Sequence, residues 1–452
     1  MANTDHDTIV AIATPPGRGG VGVVRISGKL CSVISQSLLG CVPPIRRATL
    51  HQFNDGDGTI IDTGLAIYFT APASFTGEDI LELQGHGGPV ILDILVKRVV
   101  AIGARLAEPG EFSRRAFLND KLDLVQAEAI ADLISAESVQ SARAAIRSLQ
   151  GEFSTRLHEL TEALITTRMH VEAAIDFPEE ELDLIHDPVL LQRLQQAVDL
   201  CVNINQQASA GSALREGLNV VIAGKPNSGK SSILNRLAGY EAAIVTDVPG
   251  TTRDVLRERI LIDGMPVHIL DTAGLRDTND RVEAEGIKRA RAEIHKADHV
   301  LYVVDVHDHD PHQLQNSLSQ LPSDIGITVL LNKCDLIDAT HTIHSLEIKY
   351  PKLYVSATYG TGLDTLREHL KNVAGFVNSE SGIFLARRRH LDALHRTGEH
   401  IQQAQTNLLK QHAGELCAEE LRLAQQQLAE ITGEFTSDDL LGRIFSSFCI
   451  GK

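Results

Sequence analysis

The chain has 452 residues, enough for two to four domains that each bury a hydrophobic core. No apolar run approaches the roughly 18 residues of a membrane span, the six cysteines lack metal-type spacing, and the start lacks a signal-peptide pattern. The net charge of −17 argues against a simple nucleic-acid binder. We therefore expect a cytoplasmic protein without a disulfide framework or a zinc site.

The first 118 residues are predicted to form a mixed α and β domain. Thr8–Ala13 and Gly22–Ser27 have the pattern of short strands joined by a proline- and glycine-rich turn. Ile80–Leu83 is a further strand candidate, and an apolar helical run reaches Val100. His86, between these two elements in the segment GHGGP, is interpreted as part of a turn.

Helical periodicity dominates residues 122–214 and returns at 384–431. Residues 119–215 and 379–452 are therefore predicted to be two parts of one helical bundle, split by an inserted domain. A basic run, Arg387 to His390, is a candidate for a local basic patch, although we favour a solvated helix start because charge runs usually face water.

The inserted domain, residues 216–378, alternates apolar strands with helices. The segments LNVVIAG, HVLYVVDV, ITVLLN and LYVSA fit parallel strands covered by helices. The segment LRERILIDGMPVHILD fits an antiparallel hairpin that turns at Asp263 and Gly264.

The first of these strands runs into a glycine-rich loop that matches the phosphate-binding pattern between a strand and a helix. Its backbone N–H groups and the helix N-terminus suit phosphate. Lys230 is expected to neutralise the β and γ phosphates, and Ser231 to ligate Mg²⁺. The predicted phosphate contacts are Asn227, Ser228, Gly229, Lys230, Ser231 and Ser232.

Three later motifs follow in the order of a guanine-nucleotide site. Asp335, in the motif NKCD, can accept both N–H groups of the guanine edge, which adenine cannot offer. The alternative to a guanine-nucleotide site is an unrelated α/β domain whose loops match these motifs by chance. Because several motifs match in the expected order, this alternative is the weaker one. The motif residues are Asp271, Thr272, Ala273 and Gly274, then Asn332, Lys333 and Asp335, then Ser356, Ala357 and Thr358.

A threonine-containing loop between the first two motifs is expected to contact the γ-phosphate and Mg²⁺. It consists of Thr246, Asp247, Val248, Pro249, Gly250, Thr251 and Thr252, followed by Arg253 and Asp254. Leu275 stands where Ras-type GTPases carry a water-positioning glutamine, and leucine cannot orient water. Glu283 is the candidate for that role, with a favourable acid in a helix's first turn as the alternative.

Segments outside the nucleotide motifs resemble the MnmE/TrmE family of tRNA-modification GTPases over essentially the whole chain. They are DTIVAIATPPGRGGVGVVRISG, FTGEDILELQGHGG, PGEFSRRAFLNDKLDLVQAEAI and FTSDDLLGRIFSSFCIGK. The resemblance implies an N-terminal folate-binding and dimerisation domain, a discontinuous helical bundle and an inserted Ras-like P-loop domain. It implies that GTP hydrolysis serves the addition of an aminomethyl or carboxymethylaminomethyl group to C5 of the wobble uridine of certain tRNAs.

The same resemblance assigns residues to ions and to folate. Asn227, Thr246, Val248 and Thr251 match a K⁺ site that takes the place of an arginine finger, and Ser231 and Thr252 match the Mg²⁺ ligands. Glu283 matches the residue that orients water. Arg25, Glu82, Lys121 and Lys452 match the positions that bind a formyl- or methylene-tetrahydrofolate.

Cys449 lies in the terminal signature of the family and is a candidate catalytic thiol, with a purely packed cysteine as the alternative. The family also implies a homodimer, a flavin-dependent partner enzyme and tRNA as partners. The acidic net charge suggests that the flavin-dependent partner supplies much of the tRNA-binding surface. Two other functions are left open: a regulatory GTPase of ribosome assembly, and a free-standing folate aminomethyltransferase, which would leave the GTPase motifs unexplained.

Overall fold

The computed structural model describes residues 7–176, 187–239, 257–271, 297–307, 310–322, 325–336, 349–376, 382–434 and 438–451. Two compact units are formed from alternating stretches of the chain. Unit 1 comprises Met1–Ala131, Ser148–Leu194 and His400–Lys452, and unit 2 comprises Asp132–Arg147 and Gln195–Glu399. The multidomain α+β and α/β class expected from the sequence is confirmed.

Unit 1 contains a six-stranded sheet whose strand order is β3-β4-β5-β2-β1-β6. All neighbours are antiparallel except β1 and β6. The strands are β1 Ile9–Ile12, β2 Gly19–Ser27, β3 Thr49–Asn54, β4 Ile60–Phe69, β5 Ile80–Gly87 and β6 Arg105–Leu106.

One face of this sheet is covered by two helices, Cys31–Leu39 and Pro89–Ile102. The alternation of side chains along a strand puts Val24 and Ile26 of β2 into this core, so that Arg25 between them points to the other face. That second face is the one that bears the candidate site of unit 1.

Unit 2 contains a second six-stranded sheet with the order β12-β11-β10-β7-β9-β8. Only β8 and β9 are antiparallel, and their two-residue turn is the predicted one at Asp263 and Gly264. The strands are β7 Leu218–Gly224, β8 Arg257–Ile262, β9 Met265–Asp271, β10 His299–Asp305, β11 Gly326–Asn332 and β12 Lys352–Val355. Parallel pairing brings the carboxyl ends of β7, β10, β11 and β12 to one edge.

The helical periodicity of the sequence is also confirmed. In unit 1 the helix Glu152–Asp176 packs against Gly414–Thr432 through buried apolar side chains such as Leu160 and Leu428. Within the described part of the chain no helix is long and apolar enough to cross a bilayer. The other helices are Glu111–Leu118, Leu124–Ile134, Val139–Leu149, Pro188–Glu216, Lys230–Ala238, Pro311–Ser319, Leu363–Val373, Arg388–Gln411 and Asp438–Ser446.

Two local predictions are corrected by the structure. Strand β5 continues through His86 to Gly87 instead of turning after Leu83, because Gly85 and Gly87 pair with β2. Asp62 of β4 also accepts hydrogen bonds from the backbone N–H of His86 (2.7 Å) and from its ring Nδ1 (2.8 Å). The basic run does begin a helix at Arg388, but Arg387 donates to Asp132 (2.9 Å) and His390 is buried. Only part of that run is therefore solvated.

Candidate functional site

The glycine-rich loop of unit 2 leads from the end of β7 into the helix Lys230–Ala238. Gly224 has a φ of 142° and lies against the backbone of Val303, and Gly229 has a φ of 94° and lies against the side chain of Asn332. A side chain at either glycine would overlap these neighbours and would strain the backbone. Gly229 provides no side-chain cap, so the first N–H groups of the helix face the loop, which suits a phosphate.

Lys230 is the cation of this loop. Its ammonium donates hydrogen bonds to the carbonyl oxygens of Gly224 (3.1 Å) and Lys225 (2.8 Å), and its side chain is buried. Ser231 and Ser232 follow on the exposed side of the first helical turn. The loop therefore brings one buried positive charge, hydroxyl groups and a helix N-terminus together, as binding of a nucleotide phosphate requires.

The phosphate loop and the ends of β11 and β12 meet through Asn332, which is only 2% exposed. Its Nδ2 donates to the carbonyl oxygen of Ser228 in the loop (2.8 Å), and its Oδ1 accepts from the N–H of Ala357 (3.2 Å). Because one buried amide connects the phosphate loop to the ends of β11 and β12, the residues predicted to bind phosphate and guanine occupy one edge of the sheet.

The residues after Asn332 form the end of the site that is predicted to bind guanine. Lys333 has a φ of 65° and its ammonium pairs with Asp305 at the end of β10 (2.5 Å). Burial raises the pKa of Asp305, but the hydrogen bonds from Lys333 and from the N–H of His307, together with the charge of Lys333, keep the pKa below its ordinary value. Asp335 lies exposed in the 3₁₀ turn Cys334–Leu336, where it is free to accept the edge of a base.

The segment after β12 is a tight loop. Ser356 is fully buried, and its N–H donates to the carbonyl oxygen of Thr361 (2.9 Å) while its hydroxyl accepts from the N–H of Tyr359 (3.3 Å). This closure leaves Ala357 and Thr358 at the loop's tip, next to Asn332. The predicted support for the base is therefore placed beside the other nucleotide motifs.

In unit 1 the structure brings together residues that are far apart in sequence. Arg25 on β2 lies directly opposite Glu82 on β5, and its Nε donates to the carboxylate at 2.8 Å. The guanidinium lies 5.7 Å from the ring centre of Phe75 and 5.9 Å from that of Phe112. Its Nη1 also reaches the carbonyl oxygen of Gly451 (3.5 Å). The arginine is thus held in a fixed orientation by an acid, two aromatic rings and the C-terminal segment.

Lys121 and Cys449 border this site without touching Arg25. The ammonium of Lys121 donates to the carbonyl oxygen of Pro72 (2.9 Å), in the same loop that carries Phe75. Cys449 is exposed, and its carbonyl oxygen accepts from the N–H of Gly110 (3.3 Å). Whether Cys449 is catalytic or structural stays a prediction.

Comparison with known proteins covers both units. The family model described as "GTP-binding protein TrmE N-terminus" matches residues 8–121, and the one described as "MnmE helical domain" matches residues 124–449. Proteins named tRNA modification GTPase MnmE align from end to end. That of Proteus mirabilis is 57% identical over 99% of both chains, that of Pectobacterium carotovorum 57% over 100% of both, and that of Sodalis glossinidius 58% over 99% of both.

The chain belongs to the MnmE family of tRNA modification GTPases. The resemblance stated from the sequence is therefore confirmed.

Several positions that the MnmE resemblance assigns lie outside the described residues. They are Thr246, Asp247, Val248, Pro249, Gly250, Thr251, Thr252, Thr272, Ala273, Gly274, Glu283 and Lys452, and for Asp271 only the backbone is described. Their roles remain predictions.

An ionic network in unit 1 was not predicted from the sequence. Arg115, whose side chain is 7% exposed, pairs with Asp7 (2.6 Å), Glu78 (3.0 Å) and Glu111 (3.0 Å), and Arg105 joins Asp7 to Glu111. Burial would raise the pKa of Glu111, but hydrogen bonds from both arginines hold it below the ordinary value. The spacing of four residues between Glu111 and Arg115 in a helix could have predicted that ion pair. No pattern in the sequence indicated the partners that lie in other segments.

Proposed function

We propose that this protein is a K⁺-activated GTPase that acts with a flavin-dependent partner enzyme on certain tRNAs. Together they form the aminomethyl or carboxymethylaminomethyl group at C5 of the wobble uridine, with a tetrahydrofolate derivative as the one-carbon donor. The observation that carries the GTPase part is the junction at Asn332, which holds the phosphate loop and the guanine loops at one edge of the sheet.

The described residues of the phosphate loop include oxygen ligands for Mg²⁺ and K⁺. Ser231 offers a hydroxyl oxygen on the first exposed turn of the phosphate-loop helix, and Asn227 offers an amide oxygen at the exposed tip of the loop, with a φ of 62°. A monovalent cation held there supplies positive charge next to the β and γ phosphates, as an arginine finger would. Lys230 binds the phosphates from within the loop, and Glu283 is proposed to orient the attacking water.

The proposed one-carbon site lies on the face of the unit 1 sheet opposite the two covering helices. The Glu82 carboxylate can accept the N–H groups of a pterin edge, and the Arg25 guanidinium can contact an anionic or carbonyl oxygen. Lys121 borders the site, and the exposed thiol of Cys449 is available for covalent chemistry. We propose a homodimer, with tRNA and the flavin-dependent enzyme as further partners.

The first experiment compares tRNA nucleosides by mass spectrometry in cells with and without this protein. We expect a C5-substituted wobble uridine to disappear on deletion and to return when the wild-type chain is supplied. A Lys230→Met chain should not restore it, whereas Lys97→Met, at an exposed lysine of the helix Pro89–Ile102, should.

An unchanged nucleoside profile would contradict the tRNA function and would favour a regulatory GTPase of ribosome assembly. Ribosome profiles from the same cells separate the two functions, because only the regulatory GTPase would cause accumulation of immature subunits.

A further inference from the structure

Asp305 places a carboxylate at the end of β10, although it belongs to none of the predicted nucleotide motifs. β10 pairs in parallel with β11, and Asp305 lies opposite Asn332, the first residue of the motif NKCD. The N–H of Val306 donates to the carbonyl oxygen of Asn332 (3.1 Å), so the two strand ends stay connected beyond Asp305. The carboxylate is therefore held at the same level of the sheet as the motif that is predicted to bind guanine.

The carboxylate of Asp305 is fixed by two hydrogen bonds. Its Oδ1 accepts from the N–H of His307 (3.1 Å), and its Oδ2 accepts from the ammonium of Lys333 (2.5 Å). Because these contacts keep the pKa of Asp305 below its ordinary value, the group is charged at neutral pH. Asp305 thus offers the ammonium of Lys333 a charged acceptor in a defined place.

The backbone of Lys333 fixes the other end of this side chain. Its φ of 65° lies in the left-handed region, which a residue with a Cβ atom adopts at a cost. The N–H of Leu336 donates to the carbonyl oxygen of Lys333 (3.1 Å) and closes the turn Cys334–Leu336. Since the side chain starts from a closed turn and ends at Asp305, its hydrocarbon stem follows a defined path.

That path runs beside the phosphate loop. Lys333 and Asp305 line a cavity of about 90 Å³ together with residues 225–228 of the loop and the helix Pro311–Ser319. The side chain of Lys333 is 37% exposed, so part of its stem faces solvent, and Asp335 lies exposed two residues further on. A flat base can pack on such a stem while a carboxylate accepts the N–H groups of its edge.

We infer that Asp305 is a positioning residue for the guanine nucleotide and acts through Lys333, an inference that rests on the proposed GTPase function. Asp305 holds the lysine stem along the site, so the base meets a preformed surface and no flexible chain has to be ordered on binding. The base does not change during hydrolysis. Loss of Asp305 therefore weakens binding of the ground state and of the transition state equally, which raises KM and leaves kcat unchanged.

Removing the charge of Asp305 also has an opposite effect on affinity. The ammonium of Lys333 loses its counter-charge, and a free cation near the phosphate loop attracts an anionic nucleotide. Both side chains keep access to solvent, with 19% of Asp305 and 37% of Lys333 exposed. This attraction is screened by salt, and at about 0.5 M the screening length is only about 4 Å. Measurements in 0.5 M KCl therefore report mainly the loss of position.

The test uses the full chain with Asp305→Asn, Lys333→Met, the double variant and the control Asp364→Asn, at a side chain 90% exposed in the same unit. Asparagine keeps the shape of aspartate and can still accept from the N–H of His307, so Asp305→Asn is expected to fold. We expect the Kd of GDP to rise about tenfold in each single variant and no further in the double variant, because one interaction is removed in all three. The KM for GTP should rise with it, kcat should stay within about twofold, and the control should match wild type.

Unchanged or tighter GDP binding by Asp305→Asn would overturn this inference. Additive losses in the double variant would overturn it as well, because Asp305 would then act independently of Lys333. If Asp305→Asn lowers the Tm by more than about 5 °C, Asp305→Glu, which keeps the charge but moves it by one methylene group, decides the question with an expected loss of about threefold. A wild-type chain that does not bind GDP would overturn the proposed function, whereas normal wild-type binding and hydrolysis with an unaffected Asp305→Asn would overturn the positioning role alone.

Discussion

The two sheets of this protein carry their candidate sites in different places. In unit 2 the described residues that are predicted to bind nucleotide follow the carboxyl ends of the parallel strands β7, β11 and β12, and each of these strands leads into a short contiguous motif. In unit 1 the candidate site lies on the face of a mostly antiparallel sheet, where Arg25 and Glu82 are 57 residues apart and Gly451 is 426 residues from Arg25. A site at strand ends can be recognised from local sequence, whereas a site on a sheet face depends on long-range pairing.

Of the effects predicted for the two sites, the largest is expected in unit 2, at the tip of the phosphate loop. GTP hydrolysis should be about a hundredfold faster in KCl than in NaCl, because a cation beside the β and γ phosphates stabilises charge in the transition state. Asn227→Ala should remove most of that difference, and Asn316→Ala, at an exposed asparagine of the same unit, should preserve it. Phosphate release measured in the two salts checks the prediction, and equal wild-type rates would remove the K⁺ assignment.

A second prediction concerns the end of the unit 2 sheet opposite the nucleotide. His299 and His369 both contact the hydroxyl of Thr328, at 2.8 Å and 2.7 Å, and His299 is 5% exposed. Burial, followed by the neighbouring His369, lowers the pKa of His299 to about 4. The unfolded chain, with a pKa near 6.5, binds the proton more readily, so stability falls as the pH drops from about 6.5 towards 4.

We therefore expect unit 2 to lose roughly 2 kcal/mol of unfolding free energy between pH 7 and pH 5 through His299. His299→Gln, which keeps a polar group near Thr328 without titrating, should flatten this dependence. His395→Gln, at a histidine whose side chain is 70% exposed, should not. Calorimetric unfolding of the three proteins at both pH values makes the comparison, and parallel curves for wild type and His299→Gln would disprove it.

The two sheets also show what sequence reasoning can and cannot supply. The strands of the unit 2 sheet and the hairpin turn at Asp263 were predicted correctly because strand periodicity and turn chemistry are local, whereas β3, β4 and β6 of unit 1 were not predicted. The ion pairs of Asp132 were not predicted either, since its partners Arg215 and Arg387 are 83 and 255 residues away. Long-range pairing also explains why His86 was wrongly assigned to a turn, since the flanking residues Gly85 and Gly87 pair with the distant strand β2.

The smallest of the three effects is expected on the face of the unit 1 sheet. Arg25→Met should weaken binding of 5-formyl-tetrahydrofolate about tenfold, which corresponds to about 1.4 kcal/mol, because one charged contact to the ligand is lost. The fold should tolerate the change, since Glu82 keeps access to solvent at 15% exposure and methionine can still pack between Phe75 and Phe112. Isothermal titration of the full chain measures the affinity.

Arg46→Met, at an arginine whose guanidinium contacts only the carbonyl oxygen of Ala73 among the described residues, serves as the control and should bind as wild type does. GTP hydrolysis should be unchanged in both variants, because the two candidate sites are built from different sheets. If Arg25→Met bound the folate normally, the sheet face would have to be abandoned as the one-carbon site. If Arg25→Met also slowed GTP hydrolysis, the folate site and the nucleotide site would be energetically coupled. The two sheets could then no longer be treated as functionally independent.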